Sequence, residues 1–168
     1  MIVIALGANL PSERFGPPRA TLDAALERLA QAGVVPAARS AWYESAPVPP
    51  SDQPWFVNGV ARVETTLEAP AVLETLHGVE AALGRQRGVA NAARAVDLDL
   101  LDYHGRVTAP DAWPRLPHPR LAERAFVVLP LAELAPAWRH PVSGLSAAEL
   151  AARLPAGQTC RRAESPDK

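Results

Sequence analysis

Two amphipathic helical stretches, each closed by a glycine and each set between short β-type runs, leave this chain few architectures. The first places Leu22, Ala25, Leu26, Leu29 and Ala30 at three- and four-residue spacing and stops at Gly33. The second opens with Pro70 at its first helical position, carries Val72, Leu73, Leu76, Val79 and Leu83 on one face, and stops at Gly84. An apolar run over residues 2–6, ending at Gly7, precedes the first helix. Between the helices come Val34 and Val35, continued over 39–44 and interrupted near Pro36, and then a β-branched stretch over 56–66. A further strand covers 96–103. The order β-α-β-β-α-β predicts an α+β class with a ferredoxin-like core, an antiparallel sheet with helices packed on it. A helical stretch over 123–134 containing Pro130, and a short helix marked by Ser146 and Glu149 at capping-box spacing, add C-terminal helices. Residues 45–54 hold four prolines and cannot form a helix or a central strand. Residues 1–154 are expected to make one domain, and residues 155–168 a polar, frayed tail.

The 168 residues suit a single domain, and the balance of 48% apolar to 21% charged side chains excludes wholesale disorder. A lone cysteine, Cys160, forbids an internal disulfide framework and suits a reducing compartment. No apolar run reaches the ~20 residues of a membrane span. Met1 leads into a strand with no basic stretch ahead of it, so a cytoplasmic location is expected. The net charge of −1 argues against a general nucleic-acid or membrane-surface binder. Every basic side chain except Lys168 is an arginine, which excludes a lysine-dependent phosphate loop. Anion recognition must use guanidinium forks or backbone N–H groups.

The sharpest chemical signal is Asp97-Leu98-Asp99 inside an apolar strand. Side chains two apart leave the same face, so both carboxylates point together while Val96, Leu98 and Leu100 face the core. Paired acids resist burial unless a cation neutralises them, and a hard divalent ion shared with substrate phosphates answers that cost. Two such ions ~3.5–4 Å apart are the arrangement of two-metal phosphoryl transfer. A solvated face on an edge strand would show the same spacing. The neighbours carry the argument: Arg85, Arg87 and Arg94 lie in the loop feeding this strand, and His118 and Arg124 flank the loop after it. A triphosphate carries about four negative charges, which two divalent ions and several guanidiniums would match. Asn58, beside Trp55 and Phe56, is an amide able to read the edge of a flat heterocycle, or else one satisfying backbone in an aromatic core. Phe126 poses the same choice and reads more as a core anchor than as a stacking platform.

Read in order, the motifs resemble a known family. Leu-Gly-Ala-Asn-Leu at 6–10, Gln-Pro-Trp-Phe-Val-Asn at 53–58, Glu80 with Leu-Gly-Arg at 83–85, Arg-Ala-Val-Asp-Leu-Asp-Leu-Leu at 94–101, Leu-Pro-His-Pro-Arg at 116–120 and Arg-Ala-Phe at 124–126 are similar to the 6-hydroxymethyl-7,8-dihydropterin pyrophosphokinases of folate biosynthesis. Separately these motifs are weak; the ordered set, spanning about residues 2–154, is specific. The resemblance implies the ferredoxin-like fold and transfer of the ATP β,γ-diphosphate to the pterin hydroxymethyl oxygen, with AMP as leaving group. It implies Asp97 and Asp99 as ligands of two Mg²⁺, and Arg85 and Arg94 with these acids as the catalytic set. Leu73, Arg85, Arg87, Arg94, Leu100, His118 and Arg124 would bind ATP, with Leu73 and Leu100 lining the adenine. Ser45, Pro47, Val48, Phe56, Asn58 and Phe126 would hold the pterin. ATP and the pterin would be its small-molecule partners, with neither nucleic acid nor membrane among them, and the chain is expected to be a cytoplasmic monomer.

Departures from the family pattern lie around the substrates and leave the aspartates untouched. Pro49 stands where a glycine is frequent, Phe56 where a tyrosine is, and Pro119 where some members carry tyrosine. Ala90-Asn91-Ala92-Ala93 replaces a stretch that often holds tryptophan. Two other readings compete. An inactive ferredoxin-like binding module would have lost an aspartate or the arginines, and none is lost. A palm-like nucleotidyl transferase would leave the 53–58 motif followed by Glu80 without a reason.

Overall fold

The computed structural model describes residues 1–84 and 96–165. The chain runs β1 (Ile2–Ala8), α1 (Pro18–Gln31), β2 (Val35–Arg39), β3 (Tyr43–Ser45), β4 (Phe56–Glu64), α2 (Ala69–Ala82), β5 (Asp97–Tyr103), a 3-10 turn (Leu121–Glu123), α3 (Ala125–Leu134), α4 (Ala147–Ala152) and β6 (Cys160–Arg162). The sheet order is β5-β1-β4-β3-β6, with β2 also on β4, and every pairing is antiparallel. This is the α+β, ferredoxin-like arrangement that the element order predicts. Both main helices open on a proline near N1 and are followed by a glycine at positive φ, Gly33 at 88° and Gly84 at 90°, where an L side chain would be strained.

The interruption expected near Pro36 lies elsewhere. Pro36 sits within β2, at a shift of register against β4, on a strand that pairs on one side only. The break comes at residues 40–42, so one expected strand is two, set end to end along β4: β2 against Ala61–Glu64 and β3 against Phe56–Asn58. Side chains cause the diversion. Ser40 Oγ accepts the Val60 N–H and donates to the Ala41 carbonyl, while the Ala41 N–H goes to Glu133 on α3 at 2.8 Å.

Residues 155–165 are not a frayed tail. β6 pairs with β3 from Tyr43↔Arg162 to Ser45↔Cys160, and Ala163 donates to the Trp42 carbonyl. Ion pairs from Arg161 to Glu44 and from Arg162 to Glu133 flank it. This segment lacks the apolar alternation that marks a strand, because backbone pairing and exposed charges hold it.

One sheet face is covered by the two main helices along its centre. Ile2, Ile4 and Leu6 of β1, with Leu98, Leu100 and Tyr103 of β5, pack beneath Leu22, Ala25 and Leu29 of α1 and Val72, Leu76 and Val79 of α2. Ala30, expected on this face, is exposed. The opposite face is covered in part only, where Val3, Val60 and Leu101 meet Val127, Val128 and Leu131 of α3 and Leu150 of α4. Along β1 the residues on that face shrink from Val3 through Ala5 to Gly7. The uncovered end of the sheet is therefore a recess floored by small and polar residues.

Candidate active site

A cavity of about 450 Å³ occupies this recess, within the range of small-molecule sites. Its floor runs across the strands, with Asp97 beside Gly7, Gly7 beside Asn58, and Ser45 on the neighbouring β3. Two strand spacings separate the asparagine from the aspartate, about 10 Å. Asp97 and Asp99 open one end. Phe56 and Phe126 line the cavity, Pro47, Val48 and Pro49 form part of one wall, and residues 155–158 form another. Arg120, Glu123 and Arg124 complete the lining.

Each wall has an identifiable support. Asn58 is 4% exposed and donates from Nδ2 to Ser45 Oγ at 2.8 Å, which fixes the orientation of its amide. Gly7 is a spatial requirement here, since a Cβ would lie 3.0 Å from Asn58 Oδ1. The proline-rich loop is held by buried Asn9, whose Nδ2 donates to Gln53 Oε1 and to the Pro54 carbonyl at 3.1 Å each. This joins the first two sequence motifs in space. Gly59 admits the Trp42 ring, which a Cβ would meet at 2.7 Å.

Glu80 positions the paired acids. Its side chain is buried on α2, and Oε1 accepts the N–H of Leu98 at 2.7 Å. β5 is an edge strand, so this N–H points away from β1 and would otherwise be a buried donor without a strand partner. The bond sits on the residue between Asp97 and Asp99, and so fixes the backbone that aims both carboxylates into the cavity.

His118 lies beside the cavity, with Nε2 3.9 Å from Asp99 Oδ2. Its Nδ1 accepts the Arg120 N–H at 3.2 Å, which leaves the ring proton on Nε2 in the neutral form, facing the carboxylate. Burial pulls the His118 imidazole below its usual range, and the charge of Asp99 opposes that shift. Burial also lowers Arg124, assisted by Arg120 and opposed by Asp99 and Asp97. The Arg124 guanidinium lies over the Phe126 ring, 5.6 Å from its centroid. This end of the cavity thus sets two acids against an arginine and an imidazole.

Of the residues singled out in the sequence, Ser45, Pro47, Val48, Phe56, Asn58, Asp97, Asp99, Arg124 and Phe126 line one cavity, with His118 next to it. Leu73 and Leu100 do not line it; Leu100 is 3% exposed within the cluster under α1 and α2, and Leu73 packs against that cluster half-buried. Arg85, Arg87 and Arg94 lie outside the described residues. Sequence reasoning assigned no role to Asn9, Gln53, Gln158 or the Pro155–Gly157 turn. Asn9 and Gln53 were visible as motif residues, but a hydrogen bond across 44 positions leaves no periodic signal.

The residues present fit a hard divalent cation. Asp97 and Asp99 offer carboxylate oxygens from one sheet face into a cavity wide enough for phosphates, and no group of three acidic, histidine or cysteine side chains suited to a metal occurs among the described residues. A site with two protein carboxylates, completed by water and phosphate oxygens, is the habit of Mg²⁺.

Residues 3–136 match the family described as 7,8-dihydro-6-hydroxymethylpterin-pyrophosphokinase (HPPK). A 2-amino-4-hydroxy-6-hydroxymethyldihydropteridine pyrophosphokinase of Pseudomonas aeruginosa is 41% identical over 158 residues, covering 92% of this chain and 91% of that protein. Its namesake in Methylorubrum extorquens is 40% identical over 134 residues, covering 79% and 81%. The folic acid synthesis protein fol1 of Pneumocystis carinii is 36% identical over 148 residues, and the match spans 88% of this chain but 19% of that longer protein. Among solved structures, a Plasmodium falciparum HPPK-DHPS triple mutant superposes with a TM-score of 0.68 over 90% of this chain and 44% of that one; at 13% identity it bears on the fold alone. No helix among the described residues is long and apolar enough to cross a membrane. Match length and identity agree: the chain belongs to the 7,8-dihydro-6-hydroxymethylpterin-pyrophosphokinase family.

Proposed function

We infer that the recess on the partly covered sheet face is where this pyrophosphokinase of folate biosynthesis joins ATP to 6-hydroxymethyl-7,8-dihydropterin. One observation supports this above the others. A fixed amide beside Phe56 and two carboxylates facing an arginine share a single cavity, and the Phe126 ring lies under that arginine. A flat heterocycle seated on Asn58 between Phe56 and Phe126 would carry its one-carbon substituent toward Asp97 and Asp99. Its hydroxyl oxygen forms a bond to the β-phosphorus of ATP, the bond from that phosphorus to the α,β-bridging oxygen breaks, AMP departs with the electron pair, and the hydroxyl proton is released.

Protein groups have little covalent work to do in such a transfer, so positioning and charge neutralisation dominate. Asp97 and Asp99 would hold two Mg²⁺ with the triphosphate; bound there, the ions neutralise phosphate charge and polarise the transferred group. His118 and Arg124 would contact phosphate oxygens from the same end, with Arg85, Arg87 and Arg94 supplying further guanidiniums. Ser45 orients the asparagine, and Pro47 and Val48 close the wall against water. Leu73 and Leu100 would lie at the adenine, on the α2–β5 side. We read the chain as a single-domain cytoplasmic monomer whose partners are these two small molecules, with no nucleic acid or membrane among them.

AMP formation from ATP, measured with and without the reduced hydroxymethylpterin, tests the reading. Turnover must require both the pterin and Mg²⁺; AMP formed at the same rate without the pterin would refute it. The floor of the cavity has its own test. Gly7→Ala forces the Asn58 amide to give way by a few tenths of an ångström, and pterin affinity should fall by about three- to tenfold with nucleotide affinity retained. Titration calorimetry with each ligand reads both quantities.

A further inference from the structure

α3 begins without a local cap. Its N-cap is Arg124, whose side chain makes no capping hydrogen bond, and whose backbone is extended at φ −100°, ψ 113°. A helix start of this kind leaves N–H donors unmet unless another part of the chain supplies acceptors. Gln158 supplies one. Its Oε1 accepts the Ala125 N–H at 2.8 Å, and its Nε2 donates to the Glu123 carbonyl at 2.8 Å. One side-chain amide therefore grips the backbone immediately before and immediately after Arg124.

We propose that Gln158 is a positioning residue of the active site, its amide clasping the chain on both sides of Arg124 and so setting the Arg124 guanidinium and the Phe126 ring against the cavity. The inference rests on the functional reading above and extends it to a segment to which the sequence assigned no part. Gln158 is itself held in place, because Thr159 accepts the Ala46 N–H at 3.0 Å and Cys160 pairs with Ser45. The clasp thereby ties the α3 start, which carries Phe126, to the strand end that carries Ser45. Pro155, Ala156 and Gly157 line the same cavity, so the segment both forms a wall and sets the one that adjoins it. Two hydrogen bonds to backbone act here as a peptide neighbour would, fixing φ and ψ at the one residue where the 3-10 turn ends and the helix starts.

Gln158→Met keeps length and volume but removes both bonds; Gln158→Glu keeps an acceptor for Ala125 and loses the donor to Glu123. Amide exchange at Ala125, read by NMR, should accelerate at least tenfold in Gln158→Met and stay near wild type in Gln158→Glu. KM for the reduced pterin should rise about tenfold in Gln158→Met and less in Gln158→Glu, with urea midpoints close to wild type in both. Unchanged Ala125 exchange, or an unchanged pterin KM, in Gln158→Met would overturn the proposal. A pterin KM that rises only in proportion to lost stability would also overturn it, by making the role structural. Should the wild-type protein form no pterin-dependent AMP, the functional reading fails by itself, and the exchange experiment still decides whether the clasp exists.

Discussion

Replacing Asp97 or Asp99 by asparagine should lower pterin-dependent AMP formation by at least ~10²-fold while leaving the protein folded. Each substitution keeps shape and removes one ligand charge. Charge stabilisation of a transferring phosphoryl group by metal is worth several kcal/mol, so even partial loss exceeds the ~2.7 kcal/mol that a hundredfold represents. Both side chains face the cavity and not the core, so the isosteric variants are expected to fold. The backbone that aims them is held independently by Glu80. Initial rates over a range of Mg²⁺, with thermal unfolding of the same samples, separate the two effects. An asparagine variant with near-wild-type, Mg²⁺-dependent turnover would remove the acids from the mechanism.

Asn58→Ala should weaken pterin binding by about 1–3 kcal/mol, the cost of leaving polar edges of a ligand unmet in a closed pocket. Nucleotide binding should hardly change, because the acids lie two strands away. The variant also removes the partner of Ser45 Oγ, so Ser45→Ala should reproduce a small part of the loss by freeing the amide. Calorimetry with pterin and with MgATP distinguishes the pockets; equal losses for both ligands would mean that Asn58 does not read the heterocycle.

Much of this architecture was legible in the sequence because it rests on local patterns. α1 and α2 announce themselves by apolar spacing and by Gly33 and Gly84, which positive φ requires. The shared face of Asp97 and Asp99 follows from the two-residue period of a strand. What was illegible depends on contacts far along the chain. The break at residues 40–42 arises from Ser40 and from Glu133, over ninety positions away, whereas Pro36 looked like the natural stop and is tolerated at an irregular edge. β6 escaped because its residues pair by backbone and carry exposed arginines. Gln158 escaped for a related reason: a glutamine capping a helix 33 residues earlier resembles any polar surface residue. Glu80 is the intermediate case, a motif residue whose reason became plain only once α2 stood beside the edge of β5.

The pairing of β6 with β3 has a bearing on the order in which this enzyme is made. Arg161 and Glu44 are 117 positions apart, against 51 for Gly7 and Asn58 in the central pair. Each doubling of loop length adds only about 0.6 kcal/mol of closure entropy, so the long pairing is thermodynamically mild. Kinetically it is expected to form late, since closing a long loop costs entropy before the contact repays it. During synthesis, β1, β4 and the two main helices can assemble while the far wall of the cavity is still untranslated. A nascent chain therefore carries a sheet before it carries a binding site, and substrate can stabilise only the finished protein, not its precursors on the ribosome.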